Sequence, residues 1–351
     1  MRSTPGPGLL FVLVCAMGAG PVMNYGISAA STLIMDDLGI SESQFGLLAA
    51  TCFASAALSS MSLGRLSDRI SSRSQMLIIF GGTALALVLM AVSGNYLWLL
   101  AAVLLSGPAQ AISNPTTNRI IIHAVQPDKR PGWMGIKQSG VQASQLFSSL
   151  FFPAAALLAG WRGAAVGAAL VLGLLLAYAW QRLPAEPRRK SGTGLKRPPA
   201  ERRFPAAVWL LAAFALFSGA GMQATNVYLP LFAQRELGFP LLLAGATAAA
   251  AGVVGVASRV LWGRRMAEGV RASTLLLILA AGAICGAGLL LAAGETGIPA
   301  LLWAGVLFHG ASVLGVNVVV MAGVVREVPK ERVGAASGAV PLGMYAGFAS
   351  G

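Results

Sequence analysis

Residues 64–73 read Gly64-Arg65-Leu66-Ser67-Asp68-Arg69-Ile70-Ser71-Ser72-Arg73, with apolar stretches over 44–63 and 73–92 on either side. Each stretch has the length an α-helix needs to cross a hydrocarbon core, about 20 residues. Three arginines and an aspartate between two such stretches read as the water-side loop of a helical hairpin in a membrane. Strands of a β-barrel would be short and would alternate polar with apolar residues. These segments are long and continuous, and in lipid a helix then satisfies the backbone.

The same pattern recurs outward in both directions. Eleven candidate spans cover 8–33, 44–63, 73–92, 97–123, 133–158, 161–180, 206–232, 240–263, 272–294, 298–324 and 334–351. The first continues past Gly20 through Pro21 to Leu33, which reads as an uncleaved helix and not a signal peptide. Only 11% of the 351 residues are charged and 56% are hydrophobic. A soluble domain carries about 25% charged residues, so a soluble enzyme is excluded before any motif is considered. The abundance of glycine suits helices that pack closely in lipid.

The net charge of +13 would suggest nucleic acid in a soluble chain. Here the basic residues sit in short loops, without the interleaved aromatics of a nucleic-acid surface, so none is expected as a partner. All of the 25 Lys and Arg residues except Arg162 and Arg235 fall on one side. The opposite loops carry Asp36, Asp37, Glu42, Glu236 and Glu295. The positive-inside rule makes the basic face cytoplasmic. That expectation puts the N-terminus inside and the protein, multi-pass, in the inner (plasma) membrane.

Four features recur in order at a nearly constant offset of about 200 residues, as expected of a parallel repeat of six-helix units. Gly18-Ala19-Gly20 matches Gly219-Ala220-Gly221, and Leu38-Gly39 matches Leu237-Gly238. Gly64-Arg65 matches Gly263-Arg264, and Pro127 matches Pro329. The expected organisation is an N-terminal six-helix bundle over 1–181, a basic cytoplasmic linker over 182–205, and an incomplete C-terminal bundle of spans seven to eleven over 206–351. The missing twelfth span predicts a chain truncated within span eleven.

The loop at 64–73 resembles the signature of the major facilitator superfamily, Gly-x-x-x-Asp-Arg/Lys-x-Gly-Arg/Lys-Arg/Lys. Gly64, Asp68, Arg69 and Arg73 match it, whereas Ser71 and Ser72 depart from it. Gly135-Ile136-Lys137-Gln138-Ser139-Gly140 is similar to a span-five segment of bacterial carriers of that kind. The resemblance implies an all-α membrane protein of two parallel six-helix bundles. It also implies that Gly64, Asp68, Arg69 and Arg73 form a conformational gate, with Asp68 bracing the Gly334 region. The second copy of the motif, ending at Glu268, has its acid one residue late.

Polar residues inside spans are costly and mark functional candidates. Span four places Gln110, Asn114 and Asn118 on one helical face, and span five does the same with Gln138, Gln142, Gln145 and Ser149. They read either as walls of a wet cavity or as interhelical hydrogen bonding. Asn24 and Tyr25 in span one, Gln223, Asn226 and Tyr228 in span seven, and His309 and Asn317 in span ten extend the set. The resemblance implies that spans one, four, seven and ten line a central cavity. Lys137 lies about 6 Å inside its span at 1.5 Å per residue, near enough to snorkel to the interface, so it reads either as a structural anchor or as an anion-binding residue of the cavity. Arg119 and Arg259 are the other charges nearest the interior.

Cys15, Cys52 and Cys285 lie singly within spans, and no metal site, nucleotide motif or other cofactor site is expected. No carboxylate lies deep in a span, and nothing groups the ligands or nucleophiles of an enzyme. The reading is a monomeric secondary transporter of a small polar or anionic organic solute, working by alternating access in the bilayer. A drug or amphiphile efflux carrier of the same superfamily is the first alternative, and a receptor or other non-transport membrane protein is the second.

Overall fold

In the computed structural model, which describes residues 6–67, 70–126, 129–183, 206–327 and 333–351, every regular element is a helix. Helix α1 (Pro7–Ala29) opens on a proline, whose missing N–H is no loss in a first turn. At Ala30 the chain turns into the short α2 (Ser31–Leu38), which Gly39 closes at φ 61°. The expected first span over 8–33 is therefore a helix and a corner. Next come α3 (Glu42–Ser67), α4 (Ser72–Met76), a π-helical turn at Leu77–Gly81, and α5 (Gly82–Ala91). Asn95 caps α6 (Tyr96–Ala124) by accepting the Trp98 N–H at 3.1 Å.

The expected fifth span is not continuous. It is divided at Ser139 into α7 (Arg130–Gln138) and α8 (Gly140–Arg182). Helix α8 is itself two helices, joined where Ala159 and Gly160 leave helical geometry. Gly160 sits at φ 69°, a conformation that suits glycine. The C-terminal helices are α9 (Ala206–Arg235), α10 (Leu241–Ala267), α11 (Ala272–Thr296), α12 (Pro299–Ser312), α13 (Val316–Glu327) and α14 (Val333–Ser350). A 3₁₀ turn at Val313–Gly315 breaks the expected tenth span between α12 and α13. Among the described residues, eight helical stretches are long and apolar enough to cross a membrane, with α7 and α8 forming one stretch. The expected spans at 44–63 and 334–351 fall on α3 and α14, which are not among the eight.

Glycine brings the helices together. A Cβ on Gly140 would stand 2.0 Å from the Val14 carbonyl, and one on Gly18 would stand 2.5 Å from the Gly140 carbonyl, so α1 and α8 touch main chain to main chain. On the other side of the molecule, Gly343 and Gly347 of α14 meet the carbonyls of Ala212 and Leu216 on α9 in the same way. Between helices in lipid there is no hydrophobic drive, so close packing of this kind holds them.

Each break in a helix frees carbonyls, and side chains take them up. Pro108 has no N–H for the Leu104 carbonyl, which instead accepts from Ser55 Oγ at 2.7 Å. Pro230 likewise frees the Asn226 carbonyl, which accepts from Ser28 Oγ at 3.0 Å. Near the 3₁₀ turn, the Ala311 carbonyl accepts from Ser258 Oγ at 2.7 Å and Trp262 Nε1 at 2.8 Å.

The loop at 64–73 is anchored at both of its described ends. Gln75 Nε2 donates to the carbonyls of Ser67 at 2.7 Å and Ile70 at 3.0 Å, and Thr116 Oγ1 donates to Gln75 Oε1 at 2.6 Å. Arg119 donates to the same two carbonyls. In the C-terminal helices Arg326 donates to the carbonyls of Met266 and Val270. The offset that relates Gly64 to Gly263 also relates Ser67 to Met266, so an arginine from a later helix holds this carbonyl in each half, although Arg119 and Arg326 are not themselves related by that offset.

Candidate functional site: a central polar cavity

A cavity of about 170 Å³ lies at the centre of the molecule. On one side α8 packs on α10, and there Gln138, Val141, Gln142 and Arg259 face the cavity. On the other side α14 packs on α3, and Phe53, Met344, Tyr345 and Phe348 face it. Between these walls stand Asn24 and Tyr25 of α1, Gln110, Ser113 and Asn114 of α6, Gln223 of α9, and Asn317 of α13.

The polar stripes of α6 and of α7–α8 meet at Asn114. Its Oδ1 accepts from Lys137 Nζ at 2.8 Å and lies 3.4 Å from Gln138 Nε2. Lys137 also donates to Thr117 Oγ1 at 2.7 Å. The lysine is 0% exposed, so it does not snorkel to the interface as its distance from the span end suggested. Acceptors one helical turn apart on α6 hold it inside. Arg259, outside the expected cavity set, is fixed by two main-chain carbonyls. Its Nε donates to Leu314 O at 3.1 Å and a terminal nitrogen donates to Gln138 O at 3.0 Å. Gln110 Oε1 and Gln142 Oε1 are buried and have no hydrogen-bond partner among the described residues.

Six expected residues do not line the cavity. Lys137 lies behind Asn114, and Asn118 lies a turn further along α6. Gln145, Asn226 and His309 form a buried knot instead, in which Gln145 Nε2 and His309 Nε2 approach Asn226 Oδ1 at 3.4 Å and 3.3 Å. There the amides act between helices, as the second reading of the stripes allowed. Tyr228 leaves the cavity altogether, and its hydroxyl donates to the Glu42 carbonyl at 3.1 Å.

That contact belongs to a seal at the end of the acidic loops. Ser28 Oγ lies 2.7 Å from the Val227 carbonyl, and Thr32 Oγ1 donates to Gln234 Oε1 at 2.7 Å. Arg235 pairs with Glu42 at 2.7 Å. Asp68 and Arg69 of the expected gate lie outside the described residues. Of its other members, Gly64 falls within α3, and Arg73 lies over the Trp180 ring at 5.5 Å. The aromatic wall of the cavity was missed from sequence, because a phenylalanine in an apolar helix does not show whether it faces lipid or a ligand.

A bundle of membrane-crossing helices around a cavity lined by amides, an arginine and aromatic rings has the build of a multi-pass membrane carrier. The chain belongs to the Major Facilitator Superfamily, whose family model matches residues 10–351. That family is one of transporters and not of enzymes. The fold is similar to that of a bacterial homologue of the human lysosomal transporter Spinster in an inward-facing, unoccupied conformation. The TM-score is 0.77 and the identity 18%, covering 97% of this chain and 80% of that one. It is also similar to a mutant of nucleoside transporter NupG, with a TM-score of 0.72 at 15% identity over 97% of this chain and 89% of that one. No curated protein matches the chain.

Proposed function

We propose that the protein is a secondary active transporter of a small polar or anionic organic solute. In this reading it works by alternating access in the plasma membrane, with its N-terminus in the cytoplasm. The observation that carries the proposal is the cavity itself, which the N-terminal helices α1, α3, α6, α7 and α8 and the C-terminal helices α9, α10, α13 and α14 line jointly. A site built from both sets changes its access when one set rocks against the other. The bodies that rock are then the bundles of residues 1–181 and 206–351, joined by the basic linker at 182–205. In this reading the seal at the acidic-loop end lies on the outer side and closes it. Gly64, Asp68, Arg69 and Arg73 would govern the return to the other state.

Basic side chains favour an anion here. Arg259 faces the cavity, and Lys137 lies behind its Asn114 wall. A monomer suffices for this mechanism, since the site is complete within one chain. The test is uptake by the purified protein in proteoliposomes, with thermal stabilisation by solutes as the binding readout. Solute-dependent uptake that is lost in Arg259→Ala supports the proposal. Unchanged uptake of every anion in both Arg259→Ala and Lys137→Ala removes the basis for an anionic cargo. An amphiphile efflux carrier is the second reading, and the aromatic and methionine side of the cavity favours it.

A further inference from the structure

The two long walls of the cavity are chemically opposite. Gln138, Gln142 and Arg259 stand on the α8–α10 side, and Phe53, Tyr345 and Phe348 on the α3–α14 side. The rings of Phe53 and Phe348 lie 5.0 Å apart with a 60° tilt, and Tyr345 meets Phe348 edge-on at 6.0 Å. The three rings form one continuous surface, and Met222, Met321 and Met344 also line the cavity. Thioethers adapt to apolar bodies and make favourable contacts with aromatic ones.

On the opposite wall, the two main-chain bonds of Arg259 use two of the five N–H donors of a guanidinium. Donors in that planar fork match a carboxylate. No Asp or Glu lines the cavity among the described residues, so no acid on the wall answers the charge. Gln142 stands on the same wall with its Oε1 buried, and its amide nitrogen offers two further donors. A second anionic group would find less. Lys137 is already held by Asn114 and Thr117, and a charge against the aromatic rings would be buried without a partner.

We infer that the cavity takes an amphipathic organic monoanion, with its carboxylate on Arg259 and Gln142 and its aryl or medium-chain alkyl body on Phe53, Tyr345 and Phe348. This rests on the carrier reading above and narrows it to one substrate class. It also joins the two readings of cargo, since such a solute is both anionic and amphiphilic.

The test uses the full chain, purified and also reconstituted in proteoliposomes, with probes that separate charge from body. Benzoate and hexanoate carry both features. Benzamide and benzylamine keep the body and change the charge, acetate lacks the body, and phthalate doubles the charge. Benzoate and hexanoate are expected to raise the melting temperature, and the other four to bind about tenfold more weakly or not at all. Arg259→Gln is expected to remove the benzoate shift, and Arg259→Lys to weaken it about tenfold while keeping it. Arg259→Gln also loses two main-chain bonds and can misfold, so the probe series on the unmodified chain decides the matter alone.

Equal stabilisation by benzamide, benzylamine or acetate overturns the inference, and so does stabilisation by none of the probes. Uptake of uncharged uridine without binding of any carboxylate also overturns it while leaving the carrier reading intact. Arg259-dependent benzoate binding without uptake of any probe supports the inference and overturns the carrier reading.

Discussion

The α8–α10 wall and the α3–α14 wall occupy repeat-related places in the molecule, yet they differ in chemistry. At the offset that relates Gly64 to Gly263, Arg259 falls on Ser60, whose hydroxyl bonds back to the Ala57 carbonyl of its own helix at 2.7 Å. At the same offset Phe53 falls on Gly252, where a Cβ would lie 3.3 Å from the Gln142 carbonyl. At the offset that relates Pro127 to Pro329, Gln142 falls on the cavity-lining Met344. One scaffold thus carries a charge and amides on one side and rings and thioethers on the other. The repeat explains why the walls face each other, and its divergence gives them unlike chemistry.

The sharpest way to break this comparison is Arg259→Leu, which makes both walls apolar. It removes two charge-assisted bonds to main-chain carbonyls as well as the anion partner, and uptake of a carboxylate is expected to fall about 100-fold or more. Next in size are the glycine contacts that hold each wall to its neighbour. Gly140→Ala places a methyl 2.0 Å from the Val14 carbonyl and is expected to cost about 3 kcal/mol. Gly343→Ala meets the Ala212 carbonyl at 2.5 Å and should cost less, about 1–2 kcal/mol. Unfolding of both variants in detergent checks the order. Ser28→Ala removes one hydroxyl from the seal and should weaken it by about 1 kcal/mol. The readout is greater reactivity of a cysteine placed in the cavity towards an impermeant reagent added outside. The smallest effect is expected for Arg162→Gln. Its pair with Asp37 is short, at 2.6 Å, but both side chains are about 40% exposed. Loss of stability below about 0.5 kcal/mol is expected in the same unfolding experiment.

Much of the fold was legible because its signals are local. Apolar runs of the right length, the charged loop at 64–73 and the recurrence of short motifs all lie on the surface of the sequence. The breaks at Ala30, Ser139 and Val313–Gly315 were not, because a break becomes tolerable only when distant groups satisfy the freed carbonyls. For Ala311 those groups are Ser258 and Trp262. The amide stripes marked helix faces, but periodicity could not divide Gln142 in the cavity from Gln145 in a buried knot one turn on. The partners of Lys137 were hidden for the same reason. Its distance from the span end was readable, but the acceptors Asn114 and Thr117 on another helix were not assignable to it. The aromatic wall had one usable signal, the exchange of Phe53 for Gly252 between repeats.

The proline in α9 gives the seal a dependence on water. Pro230 leaves the Asn226 carbonyl without its helical donor, and the one Ser28 hydroxyl hydrogen, shared with the Val227 carbonyl, reaches it across the interface. In the alternating-access reading the helices part here, and that carbonyl then loses its replacement as well. Left dry it would cost about 1–3 kcal/mol, and a water molecule that reaches it removes most of this penalty. Opening and wetting at this end are therefore one event. Its rate should respond to osmotic stress, which withdraws water, and not only to the solute.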